Sequence, residues 1–476
     1  ATCAPSPCRT ASRFSAEPRR ERLTGTNSLK VNVTSVIDES RISGFQFTVY
    51  ILCAACLILD GFDAQAISYV GSAISQELHI SRPALGVVFS ALPLGVLIGS
   101  LLSGMLADRI GRRPVLIGST IFFAILTLLT ARATSVEELR ILRVISGVGI
   151  GSIMPNAMAL VGEYSPKRSR VTIMMIVSNG FTAGAAIAGL VAAWMLPRFG
   201  WRSVFYTGGV MPLILAVAML ALLPESMQFL ALRGRRLGRL GEWLRRIDPS
   251  LPVSEATEYM VPEEKKIGFP IFQLFHEGRA WGTILLWIVN FMNLLNLYTL
   301  QNWVPTWATD AGLKGSTPQL LGSMVQIGGA AGAFGLGWFV HKFGFVRVLA
   351  TCSILACVNI AAIGQPGIAL ALLFTVVCVA GICVVGGQAA INSLSATYYP
   401  TDLRSTGIGA GLGVGRVGAI VGPTLAGVAL GRGWSGQELF LAAAVPPVIA
   451  AAALIAWPRM TKTSAKLSEA EAPVAG

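Results

Sequence analysis

The chain has 476 residues, of which 53% are hydrophobic and only 13% charged, with 52 Gly and 24 Pro. Soluble domains carry about 25% charge, and membrane helices tolerate such an excess of Gly and Pro where soluble helices do not, so a water-soluble enzyme is excluded. The net charge of +13 would suggest a nucleic-acid surface in a soluble protein, so the placement of the basic residues along the chain decides its meaning.

Residues 1–30 are rich in Arg and Ser and lack the apolar core of a secretory signal; they read as a disordered tail or as a start placed too far upstream. Twelve apolar runs follow, each of about the 20 residues that span a bilayer. They lie near 46–69, 84–106, 114–131, 139–161, 171–194 and 203–223, and then near 280–303, 318–340, 346–364, 368–392, 405–430 and 438–457. With both termini on one side, Lys and Arg are in roughly fourfold excess on that side, which marks it as cytoplasmic. The positive charge is therefore topology, and no nucleic-acid partner is expected. The polar stretch 224–278, with Arg233, Arg235, Arg236, Arg239, Arg245 and Arg246, splits the runs six and six. The expected organisation is a tail (1–44), a six-helix bundle (45–223), a cytoplasmic linker (224–278), a second bundle (279–457) and a tail (458–476).

The halves resemble each other. The segment from Gly104 through Asp108 and Arg109 to Gly111 aligns with that from Gly337 through His341 and Lys342 to Gly344. Glu163-Tyr164-Ser165-Pro166 with Arg168 parallels Tyr398-Tyr399-Pro400 with Arg404 at a similar spacing. A constant offset of about half the chain predicts a duplicated unit, as in secondary transporters. The expected fold class is an all-α integral membrane protein of twelve helices in two pseudo-symmetric six-helix bundles.

Gly104-Met-Leu-Ala-Asp108-Arg109-Ile-Gly111-Arg112-Arg113 resembles the loop signature of the major facilitator superfamily, and Arg143-Val-Ile-Ser-Gly147 its fourth-helix motif. A narrower match comes from Asp60-Gly61-Phe62-Asp63, Met154-Pro155-Asn156, Pro224-Glu225-Ser226, Asn302-Trp303-Val304-Pro305 and Gly413-Val-Gly415-Arg416-Val-Gly418. Together these are similar to the aromatic acid:proton symporters, which import benzoate, hydroxybenzoates, protocatechuate and related acids in bacteria. The resemblance implies a multi-pass inner-membrane carrier, expected as a monomer, that moves an aromatic acid anion with protons by alternating access. The rival substrates are sialate, other organic acids and sugars; the rival class is a membrane sensor without transport. One departure stands out: the second-half loop has His341 and Lys342 where the family usually carries an acid.

Charges inside a bilayer cost roughly 2.5–3.5 kcal/mol each on insertion scales, so each is a functional candidate. Asp60 and Asp63 share a helix face, and two carboxylates that close do not both ionise easily, so one can take and release a proton; the alternative is a structural turn beside Gly61. Arg143 and Asp63 are both expected roughly 6–8 Å below the outer surface, where they can pair, either as a structural bond or as one exchanged during transport. Arg416 falls near the midplane, to bind a substrate carboxylate with its bidentate fork or to hold helix carbonyls. Given the fold that the resemblance implies, Asn290, Asn293 and Asn296 on the seventh helix, and Gln388 and Asn392 on the tenth, line the cavity or hold helices together. Phe62, Phe291, Tyr298 and Trp303 offer aromatic faces, more often packing than substrate contacts. Asp108, Arg109, Arg112, Arg113, Glu163, Arg168 and Arg404 read as gating residues at the cytoplasmic ends. Three dispersed His residues predict no metal, and no cofactor or catalytic signature is present.

Overall fold

The computed structural model describes residues 30–234, 237–249, 251, 257–260, 271–400 and 403–471. Among the described residues, twelve helices are long and apolar enough to cross a membrane. They are α1 (Gly44–Glu77), α2 (Arg82–Ile110), α3 (Arg112–Thr130), α4 (Val136–Tyr164), α5 (Arg170–Phe199) and α6 (Trp201–Leu222) in the first half. The second half has α7 (Ala280–Asp310), α8 (Thr317–Phe343), α9 (Phe345–Ile363), α10 (Leu370–Tyr398), α11 (Arg404–Gly431) and α12 (Gly436–Pro458). Residues 1–29, with Arg235 and Arg236, lie outside the described residues. All twelve predicted runs are present, but α1 continues to Glu77, eight residues past the predicted edge, because Ile74 is buried and Glu77 is held by Trp201 and Arg202 at the start of α6. Asp63 is therefore far deeper in α1 than the predicted end implies.

Local signals start the helices. Ser43 and Gln46 form a reciprocal capping box on α1, Ser135 caps α4 through the backbone N–H of Glu138, and Pro83 and Pro318 sit in the first turns of α2 and α8. Packing then uses small residues, because lipid supplies no hydrophobic drive between helices. In the first half Gly95 and Gly99 of α2 abut the carbonyls of Val144 and Val148 of α4, and Gly61 of α1 abuts Phe181 of α5. In the second half Gly328 and Gly332 of α8 abut the carbonyls of Cys378 and Ile382 of α10, and Gly418 and Gly422 of α11 abut Phe291 and Leu295 of α7. The same helix pairs are in close contact in both halves, which is the duplication expressed in packing.

The side bearing the linker and both tails is here the tail side, and the opposite one the far side. The halves are joined at the far side. Gln65 Nε2 donates to the Gln301 carbonyl at 3.0 Å, Ser68 Oγ to Asn302 Oδ1 at 2.6 Å, and Gln319 Nε2 to the Tyr69 carbonyl at 3.3 Å. Ser90 Oγ meets the Ile420 carbonyl and Thr424, and Arg82 pairs with Asp310 at 2.6 Å on the rim. Asn293, Gln388, Asn392 and Arg416 remain half-exposed at mid-depth, so the cavity between the halves opens toward the tail side.

On the tail side the chain adds an appendage to the first half. Lys30–Asn32 pairs in parallel with Glu258–Met260 of the linker, and a short helix, Val33–Glu39, is capped by Asn32. Arg170 pairs with Asp38 and Arg168 donates to the Ser40 carbonyl at 3.2 Å. The linker helix Leu237–Ile247 packs through Trp243 onto Phe45.

Candidate functional site

Three groups of predicted residues emerge, at different depths. The first is Asp63 with Arg143. Both are fully buried; Arg143 Nη1 reaches Asp63 Oδ2 at 3.1 Å, and Nη2 donates to the Asp63 carbonyl at 2.9 Å. Thr127 of α3 donates to Asp63 Oδ1 at 2.6 Å, and the guanidinium carbon lies 5.9 Å from the Phe205 ring centroid. Three helices and an aromatic face thus surround one ion pair. Thr127 went unnoticed in the sequence because a lone threonine in an apolar run carries no spacing signal.

The second group is central. Asp60 sits one turn before Asp63, 2% exposed, and its Oδ1 has no hydrogen-bond partner. The charges acting on it are Asp63 and, across the interface between the halves, Arg416 of α11. Arg416 lies beside Gly415, which is packed against Asn290 and Leu294 of α7. Four of the five amides predicted on α7 and α10 come together in a network with Gln388 at its hub. Gln388 Nε2 donates to Asn290 Oδ1 and Asn392 Oδ1, each at 3.1 Å, while Gln388 Oε1 accepts from Asn293 Nδ2 at 2.8 Å. The network forms where α10 turns into a π-helix at Ile382–Gly386, and Asn293 Nδ2 also donates to the Val384 carbonyl in that segment at 3.1 Å. Asn296 stands apart: it is buried, and neither its oxygen nor its nitrogen has a partner. Among the aromatic candidates, Trp303 is fully buried, edge-on to Phe89 at 5.4 Å, with its N–H on the Pro423 carbonyl, which is packing.

The third group lies on the tail side. Arg112 pairs with Glu163, which also accepts from Ser226 Oγ. Glu225 organises the corner: its Oε1 accepts the backbone N–H groups of Arg112 and Arg113, both at 3.0 Å, capping α3, and its carbonyl accepts from Tyr164 OH at 2.6 Å. Gly111 makes the turn at φ +103°, and a Cβ there would sit 2.4 Å from Glu225. Arg113 donates to the Leu220 carbonyl at 2.6 Å, and Arg233 to the Asp108 carbonyl at 2.9 Å. Arg109 and Arg404 are exposed. Pro224-Glu225-Ser226 was visible as a motif, but the role of Glu225 was not, because its partners are backbone N–H groups more than a hundred residues away. The mirror corner differs. Gly344 repeats the turn at φ +82°, yet nothing fills the space beside it, and Lys342 lies over the Trp338 and Phe343 rings at 5.2 and 5.4 Å. Replacing Glu225 with Ala should cost about 0.5–2 kcal/mol, the usual loss for an N-cap, read as a lower thermal midpoint of the purified protein. An unchanged midpoint would mean that the α3 cap is dispensable.

Twelve spans in two pseudo-symmetric bundles around a polar cavity define a secondary-transporter fold. The model of the Major Facilitator Superfamily matches residues 53–314 and 286–475. The chain is 38% identical to a 4-hydroxybenzoate transporter of Pseudomonas putida over 89% of its length and 95% of the relative's. A gallate transporter of Pseudomonas putida is 35% identical over 90% and 95%. Among solved structures, a D-xylose–proton symporter superposes with a TM-score of 0.69 at 16% identity, covering 87% of this chain and 97% of the other. The chain belongs to the major facilitator superfamily and groups within it with aromatic acid transporters; it is a transporter and not an enzyme.

Proposed function

We propose that this protein imports an aromatic carboxylic acid of the benzoate or hydroxybenzoate type together with protons, by alternating access. The excess of Lys and Arg on the tail side supports an inner-membrane carrier with tails and linker in the cytoplasm, and the structure then corresponds to an inward-open state. We divide it into bundles at 45–223 and 279–457 and take a single copy as the working unit.

The observation that carries the reading is Asp60, a buried carboxyl with no partner on Oδ1, within electrostatic reach of Arg416 across the interface between the halves. While Asp60 is ionised, it competes with an incoming carboxylate for the Arg416 guanidinium. A proton on Asp60 cancels that competition, and the planar fork is then available to the substrate. The amide network around Gln388, whose Asn293, Gln388 and Asn392 are half-exposed, is suited to ring hydroxyls, since amides both donate and accept. The energetics favour coupling. Moving one anion into a negative interior costs about 2.3 kcal/mol per 100 mV, and one proton cancels that charge. Asp63, held by Arg143 and Thr127, is the second carboxyl of this reading, exchanging partners as the halves move.

The test is uptake into proteoliposomes with an imposed pH gradient, using benzoate, hydroxybenzoates, sialate and gluconate. Gradient-driven accumulation of the aromatic acids alone is expected; uptake of sialate or gluconate in their place would overturn the substrate class. Arg416→Lys should impair uptake nearly as much as Arg416→Ala, because an ammonium lacks the planar fork. Unchanged apparent affinity and rate in the Lys variant would remove Arg416 from substrate recognition.

A further inference from the structure

The linker helix Leu237–Ile247 does more than join the halves. Against it lies a groove of about 470 Å³ lined by Gly44, Phe45, Thr48, Ala221, Leu222 and Arg246. It sits where α1 begins and α6 ends, and so at the depth where spans meet lipid headgroups. The geometry points to a binding site for one anionic phospholipid, its phosphate on Arg246 and its acyl chains along α1 and α6.

Each part of such a ligand has a counterpart. Arg246 is exposed, and its guanidinium carbon lies 5.7 Å from the Phe45 ring centroid. An aromatic face under a guanidinium holds it by cation–π attraction and leaves its N–H edge free for the oxygens of a phosphate. Phe45 is itself fixed, edge-on to Tyr164 at 5.9 Å and tilted against Trp243 at 6.2 Å. Below the cation the surface is apolar. Leu222 is 58% exposed, and Phe47 and Ile51, one and two turns into α1, are 58% and 51% exposed. Ile51 continues the helix face of Gly44 and Thr48, so the apolar wall runs from the groove into the membrane. A cation at the interface above an exposed apolar wall is complementary to an amphiphile with an anionic head, and not to a free ion or a soluble peptide. The arrangement also has a consequence for the fold: a lipid seated there would bridge α1, α6 and the linker helix, and so hold the linker to the first half.

The experiment needs no transport assay. The full chain and its Arg246→Ala, Arg246→Lys and Arg239→Ala variants are placed in phosphatidylcholine nanodiscs carrying graded phosphatidylglycerol. Retained phosphatidylglycerol is read by native mass spectrometry and stability by thermal unfolding. Wild type and Arg246→Lys should retain the anionic lipid and gain stability with it. Arg246→Ala should bind it about fivefold more weakly, the share of one interfacial cation. Arg239→Ala, which removes a cation from the same helix outside the groove, should behave as wild type. Equal loss in the Arg239 and Arg246 variants would reduce the effect to diffuse surface charge and overturn the site. Stabilisation by inorganic phosphate in pure phosphatidylcholine would assign the guanidinium to a free anion and overturn it too. So would a loss of stability in Arg246→Ala that is the same in neutral and anionic nanodiscs, which would mark a partner within the chain.

Discussion

Replacing Asp60 with Asn should leave the protein in the membrane at normal levels and abolish accumulation of substrate against its gradient. The carboxyl is buried and its Oδ1 bonds to nothing, so the amide removes an intramembrane charge without breaking a hydrogen bond at that atom. What disappears is a site that titrates. A proton driven by 100 mV is worth about 2.3 kcal/mol, or roughly fiftyfold in the attainable accumulation ratio. The variant should therefore stop responding to an imposed pH gradient, while exchange of labelled for unlabelled substrate survives, since exchange needs no net proton release. Accumulation and exchange in proteoliposomes read both quantities. Undiminished gradient-driven accumulation would remove Asp60 from the coupling step and return the Asp60–Asp63 segment to a structural turn.

Asp63→Asn should behave differently, although the residue is one turn away. Its carboxylate is the counter-charge of a fully buried guanidinium, so the substitution strands Arg143. Removing one partner of a buried pair typically costs about 3–5 kcal/mol, because the remaining charge is left uncompensated. Low yield and a depressed thermal midpoint are expected, along with loss of transport. The double variant Asp63→Asn with Arg143→Gln removes both charges and should recover most of the yield. Recovery of folding without transport would give the pair a function beyond structure. A single Asp63→Asn variant as stable as wild type would show instead that Arg143 finds another partner, and that the pair does not hold α1 to α4.

Much of this molecule was legible in one dimension. The bilayer imposes a length and an apolar composition on every span, so the twelve helices follow from residue order alone. Duplication was legible because the turn between Asp108 and Arg112 repeats at His341 and Lys342 with the glycines kept. The intramembrane charges announced themselves for the same reason the spans did: each is expensive where it stands. Their division of labour was not legible. Asp60 and Asp63 are equivalent by spacing, and only the packing of α3 and α4 against α1 places Thr127 and Arg143 on one of them and leaves the other's Oδ1 without a partner. The length of α1 was misjudged because its last turn is held by Trp201 and Arg202 at the start of α6, contacts that local hydropathy does not register. Gln388 as a hub, and Glu225 as the cap of α3, depend on which helices cross and at what depth. Solvent cost acts residue by residue and is written in the sequence, whereas hydrogen-bond partners more than a hundred residues apart are chosen only when the helices pack.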